Sequence, residues 1–363
     1  MQEGNLNNHS CIMLHVHLSI HFSNNNLMIK HKGKIISLDP TRHYSSSSSN
    51  SIAFLSHAHT DHIFYPSSYT GKVLASEETI RIAYARGYRY SNVMSTSEAS
   101  SEGLEMIDSG HVLGSKALLI DGKILYTGDV CTRDRAFLKG ARLPRCDILI
   151  VESTYGMKGF RFPSIDDVVH KANMLISDLY AKGLPVILMG YPFGKAQILT
   201  NLFKHWAPIY IHEQVLKINS IYEELGVDLG VHDAIAYTHA KENGMLDKKP
   251  WVMIAPKQSN DTIFIRYMKK HYNAVTVAFT GWAVAKMHMH MYMKHDYTLP
   301  LSDHCDFIDL VNLVRSCNPS KVYTFHGFAD EFASYLKSIG YDAEPIHALS
   351  DDVNKNEKLL YYI

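Results

Sequence analysis

Residues 52–62 read Ile52-Ala53-Phe54-Leu55-Ser56-His57-Ala58-His59-Thr60-Asp61-His62, an apolar run that ends in four metal-ligand side chains within six residues. The run is short, continuous and rich in β-formers, so it reads as a buried strand. On an extended segment His57 and His59 lie on one side and reach the same ion. Asp61 and His62 fall on the following turn and face a second. Imidazole and carboxylate suit zinc, or manganese and iron, better than calcium. A polar loop rich in histidine by chance is the competing account, and it explains neither the spacing nor the preceding strand.

At 363 residues with 46% hydrophobic side chains, the chain has material for more than one ordinary domain. Lys plus Arg and Asp plus Glu number 36 each, so no global charge announces a nucleic-acid partner. A polyanion would have to be attracted by a local basic patch and by bound cations. The cysteines Cys11, Cys131, Cys146, Cys305 and Cys317 are scattered and form no C-x-x-C pair. That argues against a zinc ribbon or a disulfide framework and for a reducing, cytoplasmic setting. Cys11 to Phe22 is apolar but holds His15, His17 and His21 and no basic lead. It is too short to span a bilayer, and reads as an edge strand or an extension ahead of a domain start near Met28.

Leu27 to Asp39 reads as one strand, Ser76 to Arg86 as a helix, and Ala117–Ile120 with Ile124–Tyr126 as a hairpin across Asp121-Gly122. Ile148 to Val151 is a strand that stops at Glu152. Past Gly156 the texture becomes a small α/β unit. It contains helix Ile165–Ala181, strand Pro185–Met189, helix Ala196–His205 and strands Pro208–Ile211 and Trp251–Ile254. Met287 to Lys294 alternates like a half-buried strand, with an accessory metal pair at His288 and His290 as the alternative. Helix Phe307–Arg315 and strand Lys321–Phe325 follow.

Functional side chains recur where strands stop, at Asp39, His57, His111, Asp129, Glu152 and His326. Each alone is an ordinary turn or cap residue. Together they offer a third histidine to one ion, another to the second, and a carboxylate between them. Two ions roughly 3.5–4 Å apart hold a hydroxide and clamp a phosphoryl or acyl oxygen. Asp39 is placed to orient a ligating histidine from behind. The turn Gly190-Tyr191-Pro192-Phe193-Gly194-Lys195 reads as a phosphate hold at a helix start, through Gly194, Lys195 and with them Ser302, or as a plain strand–helix turn with a solvated lysine.

The set Asp39, His57-x-His59-x-Asp61-His62, His111 and Asp129 resembles the metallo-β-lactamase superfamily. Glu152-Ser153-Thr154-Tyr155-Gly156, Gly194-Lys195-Ala196-Gln197, Ser302-Asp303-His304 and His326-Gly327 resemble its β-CASP branch, metal-dependent nucleases of RNA and DNA. The resemblance implies an α/β fold, an αββα sandwich over residues 1–156 and 299–363 with a small α/β β-CASP cap inserted over residues 157–298. It implies that His57, His59 and His111 bind one zinc, that Asp61, His62 and His326 bind the other, and that Asp129 bridges. Asp61 would also be a catalytic carboxylate. Glu152 and His304 would correspond to a pair in which His304 protonates the leaving oxygen, and a carboxylate beside a histidine does favour its charged form.

The cap is short beside those of messenger-RNA cleavage nucleases, and Leu301 to Asp306 is similar to the compact exonuclease-like members, some associated with DNA ligases. The expected function is therefore a two-zinc phosphodiesterase of single-stranded nucleic acid, RNA before DNA and exonuclease before endonuclease. Hydroxide attack and protonation by His304 are its expected steps. Homodimers and RNA-processing or DNA-repair proteins are the associations the resemblance allows, with no membrane. The alternatives are hydrolysis of a small thioester, lactam or lactone, and a non-catalytic scaffold subunit.

Overall fold

The computed structural model describes residues 19–23, 25–41, 43–231, 234–285 and 295–349. The first described elements are β1 (Ser19–Ser23), β2 (Asn26–His31), β3 (Lys34–Leu38), β4 (Ser51–Phe54) and β5 (Lys72–Leu74), a sheet in that order. β1 is its edge strand. The reading of 27–39 as one strand is corrected: Lys32 and Gly33, with φ 49° and 75°, turn it back so that Leu27 faces Leu38. Two successive left-handed residues match the twist of a hairpin. The sequence mark of the turn is a change of phase, with Leu27 and Ile29 buried on odd positions and Ile36 and Leu38 on even ones.

Helices α1 (Glu77–Ala85) and α2 (Thr96–Ser101) follow. The Ser76 hydroxyl accepts from the Thr79 N–H and starts α1 where the sequence places it. Next come β6 (Leu104–Asp108), β7 (Lys116–Ile120), β8 (Ile124–Tyr126) and β9 (Ile148–Glu152). The β7–β8 hairpin turns at Asp121 and Gly122, with φ 48° and 67°.

A second α/β unit then intervenes. Its elements are α3 (Ile165–Ala181), β10 (Val186–Gly190), α4 (Lys195–Phe203), β11 (Ile209–Ile211), α5 (Glu213–Glu224) and β12 (Ile235–Ala236), then α6 (Tyr237–Glu242), β13 (Val252–Pro256), α7 (Ile263–Tyr272), β14 (Val275–Phe279) and β15 (Tyr297–Leu299). The strands form a parallel sheet in the order β12-β11-β13-β10-β14-β15. Its strands are buried on both faces, as a parallel sheet requires. Val186 and Leu188 join α3 and α4 on one side, and Ile187 and Met189 join α6 and α7 on the other. Met287 to Lys294, with His288 and His290, lies outside the described residues.

The chain returns through α8 (Phe307–Cys317), β16 (Lys321–Phe325), α9 (Ala329–Ser338) and β17 (Ala343–Pro345). The last strands complete a six-stranded sheet, β17-β16-β9-β8-β7-β6. Alternation sorts its side chains: Leu118, Ile120, Tyr126, Ile150 and Phe325 meet Ile29, Ile36, Leu38 and Phe54 of the first sheet. Leu119, Leu125, Leu149, Val151 and Val322 face α8 and α9. Helix α1 covers the outer side of the first sheet through Ile82 and Ala83. The layers run helix, sheet, sheet, helix, a mixed α/β sandwich.

Phe54 is fully buried between the sheets, its ring edge-on to Tyr126 at 6.2 Å. Phe54→Ala is expected to lower stability by about 3–5 kcal/mol in urea unfolding. A cost under about 1 kcal/mol would contradict this sheet-on-sheet core.

Candidate metal centre

Strands β3, β4, β8, β9 and β16 end at one edge of the sandwich. β8, β9 and β16 are parallel, as are β3 and β4, so within each sheet the carboxyl ends point one way. They deliver Asp39, His57, Asp129, Glu152 and His326, while the loop after β6 delivers His111. Asp39 and His326 sit at φ 42° and 59°. Left-handed backbone at a non-glycine residue is costly and must be held by its surroundings. The Ser153 hydroxyl does so for His326, 2.7 Å from its carbonyl oxygen.

Five histidines share one design, in which one ring nitrogen is anchored and the other faces a common space. The Ser56 hydroxyl lies 3.0 Å from His57 Nδ1. The Phe193 carbonyl lies 3.1 Å from His59 Nε2, and the Asp303 carbonyl 3.0 Å from His111 Nδ1. Asp39 holds His62 Nδ1 at 2.8 Å, and Glu152 holds His304 Nδ1 at 2.8 Å. Such anchors fix ring orientation and tautomer, as partners behind metal ligands do. Asp39 is itself fixed by the Ser56 N–H, the Ser56 hydroxyl and the Tyr126 hydroxyl, at 2.6, 2.6 and 2.8 Å.

The remaining nitrogens converge on Asp129. Its Oδ2 lies 3.5 Å from both His57 Nε2 and His111 Nε2, and His59 Nδ1 is 2.8 Å from His57 Nε2. Its Oδ1 lies 3.6 Å from His62 Nε2 and 4.0 Å from His326 Nδ1. His304 Nε2 is 4.0 Å from Oδ2. Ligand atoms therefore gather in three groups within 4.8 Å: His57, His59, His111 and Asp129; His62, Asp129 and His326; and Asp129, Glu152 and His304. Asp61 stands at the rim, its side chain 74% exposed and 3.7 Å from His62 Nε2.

Protonation preferences fit cations. Burial, then the neighbouring imidazoles, depress His57 well below its usual range, and burial with His304 and His59 does the same for His111. Burial brings His59 and His326 down to about 4. Neutral imidazole is the ligating form. His62 differs: burial opposes its charge, but Asp129, Asp39 and Asp61 raise it well above the ordinary value. Its positive charge among those carboxylates is what a divalent cation would supply in its place. His62 Nε2 and Asp129 Oδ1 are buried without a hydrogen bond among the described residues. Buried polar atoms without partners are costly, and coordination is the partner this donor set suits.

Glu152 accepts from the Val130 and Thr154 N–H groups, each at 3.0 Å, as well as from His304. Those bonds and the His304 charge hold its carboxyl low against the effect of burial. Burial would lower His304, but Glu152 and Asp129 raise it to about 9. The phosphate-hold residues are placed differently. Lys195 is buried with its ammonium 3.3 Å from Asp303 Oδ1, which corrects any picture of a solvated lysine. Ser302 accepts from the His304 N–H at 3.1 Å. Gly194, at φ 92°, brings the α4 turn against the His111 loop, where an added Cβ would lie 2.4 Å from Val112 Cγ1.

Sequence reasoning missed Ser56, Tyr126, Arg135 and the carbonyls of Phe193 and Asp303. Arg135 is almost fully buried and donates to the Gly110 and His111 carbonyls at 2.5 and 2.8 Å. Ser56 had a signal in its place between strand and motif. The carbonyls had none, because any residue carries one.

No protein-family model matches the chain. A probable DNA ligase of Opitutus terrae is 32% identical over 303 residues, 80% of this chain and 28% of that protein. Cleavage and polyadenylation specificity factor subunit 3 of Dictyostelium discoideum is 25% identical over 67% of this chain and 37% of its own length. A probable RNase of Methanocaldococcus jannaschii is 30% identical over 32% of this chain and 29% of its own. The chain thus spans well under two thirds of each of these relatives. A solved Enterococcus faecalis protein of unknown function shares the fold, with TM-score 0.58 at 14% identity, covering 86% of this chain and 94% of that one.

Asp39→Ala removes the anchor of His62 and should weaken divalent-metal affinity about 10–100-fold in competition with a chromogenic chelator. Unchanged affinity would refute the anchoring role.

Proposed function

The chain is related to the β-CASP nucleases of the metallo-β-lactamase superfamily, and from that premise we propose that it is a two-zinc phosphodiesterase of single-stranded nucleic acid. The observation that carries the reading is Asp129, with one carboxylate oxygen toward His57 and His111 and the other toward His62 and His326. In this reading His57, His59 and His111 would hold one cation, His62 and His326 with Asp61 at the rim the other, and Asp129 both. Divalent ions in such a pair act as Lewis acids toward phosphoryl oxygens and bring water close to deprotonation near neutral pH.

The chain's own residues supply the other half. His304 presents Nε2 to the same space while Glu152 holds Nδ1. That geometry, with the Glu152 carboxylate favouring the protonated ring, suits it to give a proton to the departing alkoxide. Asp39, Asp303 and Phe193 keep the imidazoles in register. A pocket for a small ester, lactam or lactone needs neither the Glu152–His304 pair nor the second α/β unit, which we read as the β-CASP cap. The complete set of ligand side chains argues against a non-catalytic scaffold.

RNA is the proposed substrate, supported by one relative named as a probable RNase and another named for cleavage and polyadenylation. Its compact cap and the similarity of Leu301–Asp306 favour trimming from an end. DNA is the second reading, favoured by the match to a probable DNA ligase over most of this chain. The scattered cysteines support a cytoplasmic setting.

End-labelled single-stranded RNA and DNA, each terminus blocked in turn, should show stepwise shortening from one open end, abolished by Asp129→Ala. Cleavage undiminished in that variant would refute the reading. Removing the Glu152 charge takes away support for protonated His304, so Glu152→Gln should move the alkaline fall of kcat to lower pH. An unmoved alkaline limb would deny His304 the role of acid.

A further inference from the structure

In an open parallel sheet, ligands bind outside the carboxyl ends of adjacent strands whose following connections leave on opposite faces. The second unit has such a place. Strands β10 and β13 are paired in parallel, with Gly190 opposite Pro256. The connection after β10 leads into α4, packed on the face of Val186 and Leu188. The connection after β13 leads into α7, packed on the face of Ile187 and Met189. The pairing ends with the bond from the Lys257 N–H to the Gly190 carbonyl, and the residues at that end are Tyr191 and Lys257.

That end is cationic. Lys257 is half-buried, its backbone N–H donates to the Gly190 carbonyl at 2.7 Å, and its ammonium lies 5.1 Å from the centre of the Tyr191 ring. Lys195 sits 5.5 Å from the same ring but spends its charge on Asp303. Lys257 has no such carboxylate among the described residues; burial and the Lys195 charge lower its ammonium to about 8, and the His295 imidazole lies near enough to feel its charge. An anion beside Lys257 would relieve both penalties.

The turn after β10 also reaches the metal centre. The turn that begins at Tyr191 ends at Gly194 and carries the Phe193 carbonyl bound to His59. Tyr191 lies close enough for the Asp303 and Asp61 charges to add to the effect of burial and push its phenol up to about 12.

We infer that the crevice between the carboxyl ends of β10 and β13 binds a backbone phosphate of the substrate strand next to the scissile one, with Lys257 as its cation and Tyr191 as its wall. The inference rests on the phosphodiesterase reading and adds a positioning residue to it. Lys257 contacts no reacting atom; it holds the strand in register while His304 and the Asp129 cluster act on the neighbouring phosphate.

The test compares wild type, Lys257→Ala and Lys257→Arg on a short single-stranded oligonucleotide and on bis(p-nitrophenyl) phosphate, a diester too small to reach the crevice. Lys257→Ala should raise KM and the anisotropy Kd for the oligonucleotide about tenfold, with kcat and small-diester hydrolysis unchanged. Its log Kd against log salt slope should fall by about 0.7, one phosphate contact on a single strand. Lys257→Arg should keep most of the affinity. Unchanged Kd and slope would overturn the inference, as would an equal loss on the small diester, which marks general damage. A loss confined to end-phosphorylated oligonucleotides would also overturn it, by making the crevice a terminal-phosphate pocket. Failure of the phosphodiesterase reading looks different: wild type would cleave neither substrate while the Kd comparison could still be made.

Discussion

A carboxylate buried among imidazoles and other carboxylates is expensive unless protons or cations share its charge. Asp129 is placed in that position by β8, and the neighbouring chain is arranged around it. Burial pushes its carboxyl up while His62 and His304 pull it down. Burial opposes a charge on His62, but Asp129, Asp39 and Asp61 beside it favour its protonated form. The first cluster, by contrast, holds its imidazoles neutral. One side of Asp129 thus faces ligands ready for a cation, and the other faces a proton that a cation would displace.

The sandwich makes this arrangement affordable. Strand ends bring Asp39, His57, Asp129, Glu152 and His326, ligands or their anchors, to one edge, and alternation commits the preceding side chains to three apolar cores. A rigid scaffold under strand-end residues is the usual way to hold precise side-chain geometry. The second unit is part of the same construction. Its Phe193 carbonyl orients His59, its Lys195 pairs with Asp303, and the Asp303 backbone orients His111. Substitutions in the α4 turn should therefore be felt at the histidines, although none of that turn's side chains is a ligand.

Much of the centre was legible because residue type and strand-end position coincide. His57, His59, His62, His111, Asp129 and His326 are polar residues at the limits of apolar runs, and Glu152 with His304 sits at two more. The β7–β8 hairpin and α3 were equally plain, one from Asp121-Gly122 and the other from its apolar stripe. The first hairpin was not, because Lys32-Gly33 is a weaker turn signal than Asp-Gly and the alternation merely changes phase. Helices α5 and α7 bury just Val215, Ile218, Asn219 and Tyr222, and Ile265, Met268 and Tyr272, too thin a stripe to stand out in the sequence. Backbone carbonyl anchors and the buried Lys195–Asp303 pair depend on tertiary packing between distant segments, which no local pattern records.

The central claim is that Asp129 spans two cation sites. Crystals of zinc-loaded protein, measured on both sides of the zinc absorption edge, test it directly. The account predicts two anomalous peaks about 3.5–4 Å apart, one beside His57, His59 and His111 and one beside His62 and His326, with Asp129 touching both. A single peak, or peaks away from Asp129, would contradict it.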